Sequence, residues 1–345
     1  MTANVYVTAI EAMFYSLRKP AWHALREPSQ VEKSAERVIK EEFQGGFSIE
    51  NRPVSVFLNG NMVETGDFAI VRCASIADPD EIVFDYCTEK YHPLQPIQVA
   101  QIFDASVCEP AETVVFLGEG EDMFITWKMP TFEVRVGDEV DMYGIIRTGF
   151  DTKHGTKLLT STVRAVCQNT IVQAEGWARA NTSKEENKGM IWTGKGINRN
   201  LARDMGYWME HVQTKAIAEA DLVQSFFSKL ATIPVKDDAQ LVNILNTAYP
   251  DKVDNSQYGP WQLRTEVSTK VAEFNQGQAE IRDGIKQLFY GAGTAITPDF
   301  WGLTCAVSEF ACHIMPSKKP VAESIMFGGR QKMIGSMIST LQKNI

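Results

Sequence analysis

Hydrophobic and polar positions change their spacing once along this chain. Between Val54 and Val166 the apolar residues fall into short strand-like runs: VSVFL, FAIVRC, EIVFDYC, TVVFL, MFITWKM, FEVRV, VDMYGIIRT and KLLTSTVRAV. Turn formers such as Asn59-Gly60 and Asp78-Pro79-Asp80 separate them, the pattern of an antiparallel meander. One short helix is predicted inside this region, from Pro96 to Ser106. Beyond Asn169 the spacing lengthens to that of helices, predicted at roughly 170–180, 198–231, 237–248, 261–290, 299–314 and 320–343. The fold class that follows is α+β, with antiparallel β-meander sheets in the N-terminal half and a mostly helical C-terminal half. We expect an α+β domain over 1–180, a flexible basic linker or loop over 181–197, and a helical region over 198–345 packing on the first.

Local signals sharpen some boundaries. Ser29-Gln-Val-Glu32 has the form of a capping box, with a helix that should stop at Gly45-Gly46. Thr170 and Gln173 fit a second box, which predicts a helix start directly after the strand that carries Arg164. The polar stretch Asp151-Thr-Lys-His-Gly155 suits a hairpin tip.

Composition allows this chain of 345 residues to build a real core, since 44% of it is apolar and only 22% charged. No run of eighteen apolar residues occurs, and the N-terminus lacks a basic leader pattern, so we expect a cytoplasmic protein that does not span a membrane. The six cysteines form no CxxC pair and sit mostly in apolar runs, as buried reduced thiols do. A net charge of −9 excludes a chain coated in positive charge. Charge is nonetheless segregated: Arg147–Arg203 holds ten basic and four acidic residues, a local balance of +6 that leaves −15 elsewhere.

That basic segment is where candidate chemistry concentrates. Trp177, Trp192, Tyr207 and Trp208 interleave with Arg179, Lys188, Lys195, Arg199 and Arg203. Aromatic faces stack on unpaired bases while cations neutralise phosphates. The competing reading puts Trp177, Tyr207 and Trp208 on apolar helix faces and leaves the lysines merely solvated. Arg164, Asn169 and Thr170 add a forked cation and polar groups at a strand end; their structural alternative is a carboxylate pairing and a satisfied turn. Gly189 to Gly196 has phosphate-loop glycine and lysine spacing but lacks the Ser/Thr that would hold magnesium and the strand that should precede it. Histidines 23, 92, 154, 211 and 313 are scattered; a metal site joining His313 to Cys305 or Cys312 would have to be assembled by the fold. No nucleophile elbow or dinucleotide fingerprint occurs. We therefore expect no catalytic residue, cofactor or metal. The helix with Phe300, Trp301, Leu303, Val307 and Phe310 reads as core, as do Met326, Met333 and Met337.

The stretch Arg164-Ala-Val-Cys-Gln-Asn-Thr170 closely resembles the signature of the phage/plasmid-like proteins classed as domain of unknown function 932. Pro20-Ala-Trp22-His23, Tyr91-His-Pro-Leu-Gln95, Asp151 to Gly155, and Trp301 to Glu309 followed by His313 are similar to further elements of that family in the same order. Thr162 and Cys312 depart from it, standing where the family has proline and aspartate. The resemblance implies a mobile-element setting and no particular chemistry. Together with the basic segment it leads us to expect a nucleic-acid-binding protein, holding single-stranded DNA for annealing, recombination or replication and assembling as a homo-oligomer. Its expected contacts are Arg164, Asn169, Thr170, Lys188, Trp192, Lys195, Arg199 and Arg203. Two other readings stay open: a protein that meets a host factor through its acidic surface, and an enzyme acting on nucleic acid through groups gathered by the fold.

Overall fold

A computed structural model describes residues 13–18, 28–76, 78–152, 156–164, 169–173, 205–255, 263–293, 296–315 and 329–345. The chain is α+β, as its hydrophobic spacing predicts. Its strands are β1 (Phe14–Ser16), β2 (Ile49–Leu58), β3 (Asn61–Arg72), β4 (Ile82–Thr88), β5 (Thr113–Leu117), β6 (Asp122–Arg135), β7 (Asp138–Gly149), β8 (Lys157–Arg164) and β9 (Asn169–Gln173). Helices α1 (Ala35–Glu41) and α2 (Pro96–Ser106) lie between strands. The C-terminal half contributes α3 (Met205–Leu230), α4 (Asp238–Ala248), α5 (Arg264–Gln287), α6 (Phe300–Glu309) and α7 (Gly329–Gln342). A π-turn follows α5 at Leu288–Ala292 and another follows α6 at Phe310–Ile314. Among the described residues no helix is long and apolar enough to cross a membrane.

The strands form a six-stranded sheet, β1-β5-β6-β7-β8-β9, and a three-stranded sheet, β2-β3-β4. Residue contacts divide the chain into two compact units. The first contains the residues up to Pro130, Met142–Ser161 and Thr182–Ala220; the second contains Thr131–Asp141, Thr162–Asn181 and Asp221–Ile345. The division thus falls inside β6, β7, β8 and α3.

In the first unit the middle of the larger sheet is buried on both faces, since Met123 to Trp127 of β6 are buried without alternation. Phe47 packs against Phe116 (ring centroids 4.9 Å apart) and Phe150 (6.4 Å), and Trp127 meets Phe103 of α2 edge-on at 5.9 Å. Gly144 of β7 makes room for that tryptophan, because a Cβ there would fall 2.0 Å from its ring. β6 runs unbroken through Pro130, where the sequence suggests two separate strands. The pairing of β5 with β6 ends at Thr113↔Thr126, so among the described residues Pro130 lies beyond the reach of that neighbour, a setting that tolerates proline in a strand.

The predicted capping box at Ser29 is not used. The Ser29 and Gln30 amides instead donate to the Ser16 and Leu17 carbonyls at the end of β1, and Gln30 takes a left-handed φ of 58°. The helix starts at Ala35, where the Ser34 hydroxyl accepts from the Arg37 amide and the Asp104 carboxylate of α2 takes the Ala35 and Glu36 amides at 2.7 and 2.9 Å. A helix of only seven residues depends on such outside caps. The predicted helix start at Thr170 is also not found, since residues 169–173 form β9, while the rest of that predicted helix lies outside the described residues. The β-branched run Thr170-Ile-Val pairs onto β8 and overrides the box signal.

Gln95 shows how the Tyr91–Gln95 element works. Its side-chain amide both accepts from the Ile49 N–H (2.9 Å) and donates to the Ile49 carbonyl (2.8 Å), fixing the start of β2, while Gln98 caps the Gln95 amide at 2.9 Å. Asn51 donates to the Tyr91 carbonyl beside it.

At the end of β3, Arg72 is fully buried and donates to Asp78 in the following turn at 2.8 Å. The Asp80 amide, aided by Arg72, holds the Asp78 carboxyl below the usual carboxylate range. Two outcomes follow for the first unit. Gly144→Ala lowers stability by about 1–3 kcal/mol through overpacking against Trp127, read by chemical denaturation. Asp78→Asn costs about 3–5 kcal/mol near neutral pH by stranding Arg72. A depressed carboxyl stabilises the folded state fully above its unfolded pKa and loses that contribution as pH falls through the lowered folded value, so the gap between the variant and the parent narrows on acidification.

Candidate nucleic-acid interface

Of the ten basic residues that set the charge of Arg147–Arg203, the first is not available to a ligand. Arg147 of β7 is buried and forks onto Asp122 of β6, through Nε at 3.3 Å and Nη2 at 2.6 Å. It is an internal ion pair across two strands. Asp151, one of the four acids of that segment, is also buried. The remaining stretch, Lys153–Arg203, keeps nine basic against three acidic residues, so its balance is still +6.

Arg164 is the last residue of β8, and Asn169 and Thr170 are the first two of β9, its neighbour in the sheet. Four residues join these strands, so the backbones of Arg164 and Asn169 stand at the same end of an antiparallel pair. The fold therefore brings together three of the expected contact residues. Lys188, Trp192, Lys195, Arg199 and Arg203 lie outside the described residues, as do Trp177, Arg179 and the Gly189–Gly196 loop. Tyr207 and Trp208 belong to the first turns of α3.

Elsewhere many cations have carboxylate partners. Arg52 spans Glu81 and Glu50, Arg37 pairs with Glu41, Lys33 with Glu41 and Glu42, Lys286 with Asp238, and Arg282 with Asp251. Pairing raises the Lys33 and Lys286 ammonium pKa values and lowers that of Asp238, as expected where each partner stabilises the other's charged form. These sites offer little net attraction to a polyanion.

Among the described residues no three His, Cys, Asp or Glu side chains gather into a group that could hold a metal. Cys73, Cys305 and Cys312 are buried, Cys87 is half-buried and Cys108 exposed. Burial, with Asp85 nearby, pushes the Cys87 thiol upward and away from reactivity.

In the second unit the residues around Trp301 assemble a constellation that the sequence reading did not foresee. Asp299 caps α6 by accepting from the Gly302 amide at 2.8 Å and also accepts from the Thr297 hydroxyl at 3.0 Å. Arg135, from the tip of the β6–β7 hairpin, reaches both Asp299 oxygens at 3.0 and 3.2 Å. Trp301 is 1% exposed and donates its indole N–H to Asp138 at 2.8 Å, while its ring lies 4.8 Å from that of Phe227. Gly302 is obligatory because a Cβ would come within 1.8 Å of the Thr297 carbonyl. The expectation that Trp301 is a core residue holds. The partners were hidden because Arg135 and Asp138 flank a hairpin turn, where charged residues ordinarily signal only exposure.

Residues 83–185 match the family model described as domain of unknown function (DUF932), and the chain carries that domain over this stretch. The match takes in the Tyr91–Gln95, Asp151–Gly155 and Arg164–Thr170 elements, whereas the Pro20–His23 and Trp301–His313 elements lie outside it. No curated protein and no solved structure matches the chain.

Trp301→Phe keeps the ring and removes the buried donor to Asp138. It should cost about 1–3 kcal/mol of stability in denaturation, with nucleic-acid affinity of the folded variant unchanged, since the indole is closed off from solvent.

Proposed function

We propose that this DUF932-containing chain binds nucleic acid, with single-stranded DNA as the preferred ligand, as part of a phage or plasmid. The observation that carries the reading is charge segregation: a chain of net −9 concentrates +6 in Lys153–Arg203, and that segment also contains Trp177 and Trp192. Flexible single strands present both phosphates and unstacked bases, which suits cations interleaved with aromatics better than a duplex does. The shared end of β8 and β9 supports it further, since Arg164, Asn169 and Thr170 enter and leave the same connection. In this reading Arg164, Lys195, Arg199 and Arg203 neutralise phosphates and Trp192 supplies a stacking face. The binding serves annealing, recombination or replication of a mobile element.

Fluorescence anisotropy of labelled single- and double-stranded DNA at two salt concentrations tests it. Binding should favour the single strand and weaken as salt rises, and each of Arg164→Ala, Lys195→Ala, Arg199→Ala and Arg203→Ala should reduce the log–log salt slope by about 0.7. Trp192→Ala should cost about 1–3 kcal/mol with little change in that slope. Absence of binding to either DNA form would overturn the proposal in favour of a host protein as partner, met through the acidic remainder of the surface.

A further inference from the structure

Among the described residues, nothing covers the apolar side chains that the β2–β3 hairpin carries. Its two-residue turn, Asn59-Gly60, has positive φ at both positions (50° and 86°), the geometry that continues the natural strand twist. Beyond the irregularity at Pro53/Ser55 the register runs Ser55↔Glu64, Val56↔Val63, Phe57↔Met62 and Leu58↔Asn61. β4 pairs with β3 only from Asp67 to Arg72, so among the described residues the hairpin here is a two-stranded arm with both edges open. Phe57 is 70% exposed, Met62 68% and Leu58 53%, and Val56 and Val63 are exposed as well. Phe57 and Met62 share one face while Val56, Val63 and Leu58 share the other, so the arm is apolar on both sides.

Backbone polarity adds direction. A two-residue turn makes Leu58↔Asn61 the hydrogen-bonded pair that closes it, so Phe57 and Ser55 point their N–H and C=O groups outward from β2. Such an edge is a template for another strand. The outer edge of β2, Ser55-Val56-Phe57-Leu58, has no ionisable residue, and Glu64 is the only one in 54–66.

We propose that this edge is a self-association surface, occupied by β2 of a second copy of this chain. Two copies of a chain with net charge −9 repel wherever their acidic surfaces meet, and an uncharged edge is where they can approach. An antiparallel edge is self-complementary about a two-fold axis. With the axis at Val56, Ser55 of each copy exchanges both backbone hydrogen bonds with Phe57 of the other, and the two Val56 side chains meet. Leu58 and Val63 lie on the same face as Val56 and join that apolar contact. The proposal rests on the β2–β3 arm alone and is independent of nucleic-acid binding.

Sedimentation velocity on the full chain over a range of concentrations reads it. The unaltered protein should dimerise. Val56→Lys, which brings two like charges to the axis, should weaken dimerisation by roughly a hundredfold or more. Phe57→Pro should do the same by removing an outward N–H that β3 does not use, while Tyr86→Lys on β4 leaves association unchanged. Circular dichroism checks that each variant is folded. Should the arm variants fail to fold, hydrogen exchange on the unaltered chain decides: the Ser55 and Phe57 amides slow as concentration rises if the edge is paired. A chain that stays monomeric, a dimer indifferent to folded Val56→Lys, or a dimer whose Ser55 and Phe57 amides exchange freely would each overturn the proposal.

Discussion

The carboxylate of Asp299 holds the second unit in register. One side chain ends the approach to α6 by taking the Gly302 amide, receives the Thr297 hydroxyl, and binds the guanidinium of Arg135 through both oxygens. An exposed N-cap contributes about 1 kcal/mol. Here the same atoms also decide which part of a distant hairpin docks, and the neighbouring Trp301–Asp138 bond fixes its orientation. Phe132, Phe227 and Trp301 then pack with tilted rings as the apolar filling of that joint. Nearby, α4 and α7 are joined by backbone acceptors: Tyr249 donates to the Met333 carbonyl at 3.1 Å and Ser336 to that of Ala248 at 2.7 Å. Full burial raises the Tyr249 hydroxyl far above its ordinary pKa, so it stays a donor throughout the working range of pH.

Polar groups acting at a distance are also where sequence reading succeeds least. Strand runs, the Pro96–Ser106 helix and the Asn59-Gly60 turn were legible because each is decided by residues within a few positions of one another. α4 and α6 were legible for the same reason, with Asp237 and Asp299 as local caps. The box at Ser29 failed because its amides go to β1, and the helix start moved to a site that Asp104 stabilises from α2. The box at Thr170 failed because β8 offers a ladder partner that periodicity cannot reveal. β1 itself, only three residues long, has no periodic signal to read.

The charge of the candidate interface was legible in part. Counting signs along Arg147–Arg203 marks out a basic segment, yet counting cannot tell that Arg147 turns inward to Asp122. Both residues sit in strongly apolar strands, MFITWKM preceded by Asp122 and GIIRT around Arg147, and that setting is the available hint that the two charges are buried together.

The hairpin tip that meets α6 has a temporal side as well. Arg135 is made 164 residues before Asp299. At synthesis rates of about 5–20 residues per second, a delay of roughly 8–33 s separates the two partners. For that long the guanidinium of Arg135 and the acceptor of Asp138 wait for their partners, so the nascent chain docks the β6–β7 tip only after translation has passed Asp299 and Trp301.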